Sequence, residues 1–250
     1  MVPPTLVTIA LSHFCEKARW GLDRAGATYI EQGHAPGLHM RPARRLSGRS
    51  STPILVTASG IVGDSAAILQ WASAHSAPGH GLYGDDEAQR AEVLALEQAF
   101  DQGLGPHVRR VVYFHLLPVP RLIVPMMTHA VPRGDRLLLK LLFRPLRRLM
   151  SSAMRIDAAG AGRSLERVRA TFAEVDGRLA DGRRYLVGGR LSAADIAFAA
   201  LAAPIVLPEG YAVPLPGVDE LPAAMAVLVR ELRATPAGQL CLRLYREERR

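Results

Sequence analysis

The stretch that decides the fold is TLVTIALSHFCEKARWGLDRAG, residues 5–26. Thr5 to Leu11 is apolar and β-branched and stops at Ser12, which reads as a buried strand meeting a turn. From Cys15 to Arg24 the residues are helix formers, with apolar positions at 15, 18 and 22 and a stop at Gly26. Strand, turn and helix therefore follow within the first 26 residues. The turn carries a hydroxyl at Ser12 and a thiol at Cys15, one helical turn apart. Three readings compete for it: Ser12 as the reactive group, Cys15 as the reactive group, or an ordinary helix start capped by Ser12.

Working outward, Thr28 to His34 reads as a second strand and Gly37 to Leu46 as a short, irregular basic helix. Ile54 to Thr57 forms a third strand after Pro53, turns at Ser59-Gly60 and returns through Ile61-Val62. GDSAAILQWASAH, residues 63–75, is a helix that Asp64 or Ser65 can cap, with Ile68, Leu69 and Ala72 on one face. The order is β-α-β-α-β-β-α. Loop composition follows in SAPGHGLYG, residues 76–84, and beyond it strand signals almost vanish. A long helical pattern covers 86–117, and others cover 121–130, 135–154, 160–180, 192–206, 221–234 and 236–248. The expected domains are a small mixed α/β unit over 1–76, a linker over 77–85 and an all-helical unit over 86–250.

Composition narrows the function. The chain has 250 residues, 49% hydrophobic and 22% charged, as a folded protein requires. The N-terminus lacks a basic segment followed by an apolar one, and no uncharged stretch reaches the roughly 18 residues of a membrane span, so a cytoplasmic protein is expected. Cys15 and Cys241 lie too far apart in sequence for a ligand cluster, and the histidines form no H-E-x-x-H, so no metal is expected. GHGLYG, residues 79–84, matches G-x-G-x-x-G but follows Ala77-Pro78 instead of a strand, which rules out a dinucleotide site.

The net charge is +8. Almost all of it is local, with ten Arg and Lys between Arg133 and Arg169 against Asp135, Asp157 and Glu166. Phe143 is the one aromatic there, too little for stacking on bases, so no nucleic-acid partner is expected. Within it, RGDRLLLKLLFRPLRRLM, residues 133–150, is an amphipathic helix that Pro145 should kink. Packing inside the helical domain is the first reading of residues 135–150, and contact with an anionic membrane surface the second.

Three pairs in the small domain belong together: Ser12 to Cys15 at the strand-to-helix turn, Thr52-Pro53 before the next strand, and Asp64-Ser65 opening the helix after it. Late in the chain, RYLVGGRLSAADIAFAAL, residues 184–201, adds Gly188, Ser192 and Asp195. This combination resembles the glutathione S-transferase superfamily, as an atypical bacterial-type serine member, over most of the chain and least from 115 to 160. The resemblance implies a thioredoxin-like N-terminal domain followed by a helical-bundle C-terminal domain. It implies glutathione as co-substrate and a small hydrophobic electrophile as its partner, joined in a detoxifying conjugation by a cytoplasmic homodimer.

By the same resemblance Ser12 would hydrogen-bond the glutathione sulfur, and Thr52 before a cis Pro53 would pair with its peptide backbone. Asp64 and Ser65 would hold the γ-glutamyl end, and His39 or one of Arg41, Arg44 and Arg45 the glycine carboxylate. His13, Tyr113 and His115, beside Phe114, would face the electrophile. Elementary chemistry agrees with the first role. A helix start favours a thiolate over a thiol, and lowering a thiol by about two pKa units takes roughly 2.7 kcal/mol, within reach of a charge-assisted hydrogen bond plus a helix dipole. Two alternatives remain: a thiol-disulfide oxidoreductase using Cys15 as nucleophile, and a non-catalytic binding or membrane-associated protein of the same fold.

Overall fold

The computed structural model describes residues 3–249. Its first part runs β1 (Thr5–Thr8), α1 (His13–Arg24), β2 (Ile30–Gly33), α2 (Met40–Ser47), β3 (Ile54–Thr57), β4 (Gly60–Gly63) and α3 (Ser65–Ala74). The strands form one four-stranded sheet in the order β2-β1-β3-β4, with β1 and β2 parallel and the other pairs antiparallel. Successive residues of a strand point to opposite faces, and the core divides accordingly. Leu6 and Leu55 pack with Ala18, Leu22, Ile68 and Ala72 of α1 and α3, whereas Val7 and Ile54 pack with Ala43 of α2. Gly21 lets α1 and α3 approach closely, since a Cβ there would lie 2.1 Å from Leu69 Cδ1.

This is the expected thioredoxin-like layer, with one difference in β1. The strand ends at Thr8 rather than Leu11, because Ala10 and Leu11 are buried in the core shared with the helical part. The Ser12 amide closes a turn on the Ile9 carbonyl at 3.0 Å, and that lifts the chain out of the sheet.

The second part holds α4 (Glu87–Gly103), α5 (Gly105–Leu116), α6 (Pro120–Met127), α7 (Arg133–Ala153), α8 (Ala158–Leu179), α9 (Ala193–Val206), α10 (Ala223–Arg233) and α11 (Pro236–Glu247). It is the expected helical bundle. The single helix expected over 86–117 is two, broken at Leu104 where Gly105-Pro106 starts a new helix. Proline lacks the amide that a continuous helix would use and is tolerated in a first turn. α7 departs in the opposite direction and stays helical through Pro145.

Every residue of α9 is buried, and α1, α4, α5, α10 and α11 surround it. A capping box starts it: the Ser192 hydroxyl accepts from the Asp195 amide, and Asp195 accepts from the amides of Leu186 at 2.8 Å and Ser192 at 2.9 Å. Burial pushes the Asp195 carboxyl up to about 6.

The two parts meet along α1. Lys17, fully buried, pairs with Glu97 at 2.9 Å and Asp101 at 2.7 Å on α4. The Tyr211 hydroxyl donates to the Leu11 carbonyl at 2.8 Å. Arg249 holds Glu16 at 2.8 Å and Asp23 at 2.7 Å, which ties the end of the chain to α1.

Candidate functional site

Ser12 caps α1, and its Oγ accepts the Cys15 amide at 3.4 Å. A hydroxyl that accepts with a lone pair still has a proton to give, and the Cys15 sulfur one turn deeper is within its reach. Ser12 lines a cavity of about 390 Å³ between the sheet domain and the helices. Leu11 and His39 border it, as do Arg109 and Tyr113 of α5 and Leu146 and Met150 of α7.

His13 lines the same cavity but is no exposed turn histidine. It is 4% exposed, and Nε2 lies 3.1 Å from the Gly105 carbonyl, at the break between α4 and α5. Burial, with the Arg109 guanidinium nearby, lowers its pKa to about 3, so the ring is neutral and donates to that carbonyl. A Cβ on Gly105 would sit 2.5 Å from Phe14 Cζ, so glycine is what lets α5 meet the start of α1.

Cys15 lies one turn deeper and is fully buried. Its thiol reaches Thr52 Oγ1 at 3.7 Å, and burial pushes its pKa up. Such a thiol is mostly protonated at neutral pH and a poor nucleophile.

Around this turn the other expected residues gather in two groups. The Thr52-Pro53 peptide is cis, and the Thr52 amide and carbonyl have no partner among the described residues. Pro53 is buried, Ser65 is buried at the first position of α3, and Asp64 is the exposed N-cap whose Oδ1 accepts the Ala67 amide at 2.9 Å. Asp64 has φ 60° and ψ 164°, a conformation that costs a non-glycine residue about 1–3 kcal/mol and that clusters at ligand sites. It borders a second, shallower cavity with Arg49 and Ser51, on the α2 side of the sheet.

His39, the N-cap of α2, accepts the Gly37 amide on Nδ1 at 3.1 Å, and burial lowers its pKa. That leaves a neutral ring on the wall of the first cavity. Arg41, Arg44 and Arg45 are exposed on α2 and border neither cavity. Tyr113 is on the wall as expected, but His115 is not. Its ring packs edge-on against Phe114 instead, because two positions along α5 turn it away from the cavity.

Arg109 escaped the sequence reading. It sits four residues before Tyr113, on the same face of α5, and its approach depends on the break at Leu104, a stop that Gly105-Pro106 signals and the single helix expected over 86–117 passed over.

Comparison with known proteins agrees on one family. The model described as "Glutathione S-transferase, N-terminal domain" matches residues 6–79, and that described as "Glutathione S-transferase, C-terminal domain" matches residues 157–230. No curated protein sequence matches.

Among solved structures, the chain is similar to the β-etherase LigF from Sphingobium sp. strain SYK-6, with a TM-score of 0.63 and 17% identity over 97% of this chain and 99% of that one. A theta class glutathione S-transferase from Xanthomonas axonopodis pv. citri, with glutathione bound, gives 0.59 and 20% over 97% and 98%. A glutathione S-transferase from Rhodospirillum rubrum F11 gives 0.59 and 21% over 98% and 99%. At these identities the structures speak for the fold, while the two family models match a stretch in each of its two parts. The chain belongs to the glutathione S-transferase superfamily.

Proposed function

We propose that the protein conjugates glutathione to a small hydrophobic electrophile. Residues 1–76 form the glutathione-binding domain, 77–85 the linker and 86–250 the helical domain that completes the electrophile pocket. Thr52 offers its amide and carbonyl to the glutathione backbone, Asp64 and Ser65 take the γ-glutamyl end, and His39 donates to the glycine carboxylate. Ser12 turns its hydroxyl to donate a hydrogen bond to the sulfur and so favours the thiolate beside the α1 N-terminus. The thiolate then forms a carbon–sulfur bond, and the leaving group departs with its electron pair.

The observation that carries this reading is the Ser12 hydroxyl at the cavity wall, on the residue that caps α1. Burial of Cys15 and its raised pKa weigh against the oxidoreductase reading. In this reading the enzyme is a cytoplasmic homodimer that serves detoxification.

Titration calorimetry with millimolar glutathione, paired with conjugation of an activated aromatic halide, tests it. Losing one charge-assisted hydrogen bond should raise the pKa of the bound thiol by about one to two units in Ser12→Ala, read by thiolate absorbance, with conjugation falling in step. Cys15→Ala should keep both. No heat of binding at millimolar glutathione would sink the proposal.

A second, compatible role rests on α7. Leu137, Leu141 and Leu149 are 61%, 72% and 66% exposed among Arg133, Arg136, Lys140, Arg144, Arg147 and Arg148, a composition suited to an anionic membrane surface. No helix among the described residues is long and apolar enough to cross a membrane.

A further inference from the structure

Arg109 is the one charged residue bordering the 390 Å³ cavity, whose other walls are aliphatic and methionine side chains with a few neutral polar groups. Its guanidinium has no carboxylate partner and no hydrogen bond among the described residues, although ten other arginines form ion pairs. One helical turn on, the Tyr113 hydroxyl borders the same cavity and is equally without a partner.

Side chains four apart on a helix stand together, so the wall presents two convergent donors and no acceptor of opposite charge. The other polar residues there do not neutralise Arg109: Ser12 is uncharged, and His13 and His39 are held neutral by burial.

A wholly apolar ligand would strip water from a guanidinium and give nothing back, which is costly, and a cationic ligand would meet repulsion. An anionic head group repays that desolvation with charge-assisted hydrogen bonds. The rest of the cavity suits an extended apolar body. Leu146 and Met150 of α7, Met154 just after it and Met126 of α6 line it, and methionines adapt to ligands of varied shape.

We propose that the cavity selects an amphipathic monoanion, its apolar body lying under α7 and its head group on the Arg109 guanidinium and Tyr113 hydroxyl. This deepens the proposed function by naming the class of its second substrate, a carboxylate-bearing lipophile, and it rests on that reading only for the claim that the ligand is a substrate. Arg109 and Tyr113 then set specificity.

The test is titration calorimetry without glutathione, using dodecanoate below its aggregation threshold, methyl dodecanoate and dodecyltrimethylammonium as probes. Wild type should bind dodecanoate at least about tenfold tighter than the ester and should not bind the cation. Arg109→Gln should lose roughly ten- to a hundredfold for dodecanoate, the range expected of a hydrogen bond to a charged group, while keeping the ester affinity. Arg109→Lys should recover part of the loss, and Tyr113→Phe should lose a few-fold.

Arg144→Gln/Arg148→Gln, on the outer face of α7, should change nothing. Equal wild-type affinity for acid and ester, or no binding of either, overturns the proposal. So does equal loss of both probes in Arg109→Gln, or loss of the preference in the α7 variant. Anion selectivity without any glutathione binding would leave this site standing and end the conjugation reading; the reverse result would do the opposite.

Discussion

His13 shows how one side chain can join two distant parts of the chain and leave a trace in titration. Its folded-state pKa of about 3 lies below the unfolded value of about 6.5, so the unfolded chain takes up the proton first as pH falls. The stability it contributes is complete above pH 6.5 and is lost progressively down to about pH 3, at about 1.4 kcal/mol per pH unit. Gln can donate to the Gly105 carbonyl and cannot titrate. Denaturant unfolding of wild type and His13→Gln at a series of pH values should therefore show wild type losing ground to the variant between pH 6 and 4. A constant gap would contradict the neutral, buried ring.

Ser12, Thr52-Pro53 and Asp64-Ser65 were legible because their roles follow from local chain geometry: a helix cap, a proline before a strand, another cap. His13 and Arg109 were not, because what defines them is a neighbour brought in by tertiary packing. Gly105 is 92 positions from His13.

At the scale of elements, most helices and strands fell where periodicity placed them, and the errors share a cause. The α4–α5 break and the early end of β1 are both places where the interdomain core claims residues that local pattern assigns to a neighbouring element. α7 differs because its sequence supports two faces at once. Leu139, Phe143, Leu146 and Met150 recur at helical spacing and turn inward, while a second set of leucines faces solvent among six cations.

Each cation near a charged bilayer contributes about 1 kcal/mol and is screened by salt. The full chain should sediment with vesicles rich in phosphatidylserine and not with pure phosphatidylcholine vesicles, and release as salt rises from about 0.1 to 0.5 M. Leu137→Asp/Leu141→Asp should abolish sedimentation while leaving the melting temperature within a few degrees. Binding that ignores lipid charge would argue against the docking role.

For the molecule as a whole, the junction between the sheet domain and the helices carries a buried charge cluster. Lys17 stands between Glu97 and Asp101 with no access to water, and Tyr83 donates to Glu97 at 2.9 Å. Burial raises the pKa of both carboxyls, an effect that Lys17 opposes. Lys17→Met would leave the buried Glu97 and half-buried Asp101 carboxylates without their cation, at a cost of about 3–5 kcal/mol. Because the raised folded pKa values favour protonation, that cost should shrink as pH falls from 8 toward 5, measurable by chemical unfolding at each pH. Replacing both acids with leucine alongside Lys17→Met should restore much of the loss. A single mutant as stable as wild type at pH 8 would show that the triad contributes nothing.

The bond from the Tyr211 hydroxyl to the Leu11 carbonyl spans 200 positions and ends one residue before Ser12. A ribosome adds 200 residues after Leu11 before that bond can form, so the turn that carries Ser12 leaves the exit tunnel early and waits. The N-terminal domain alone, or a nascent chain stalled before residue 211, would carry every residue proposed to touch glutathione and still lack one of the anchors that fix where Ser12 points. The site is assembled late, and by the part of the protein that supplies none of its glutathione contacts.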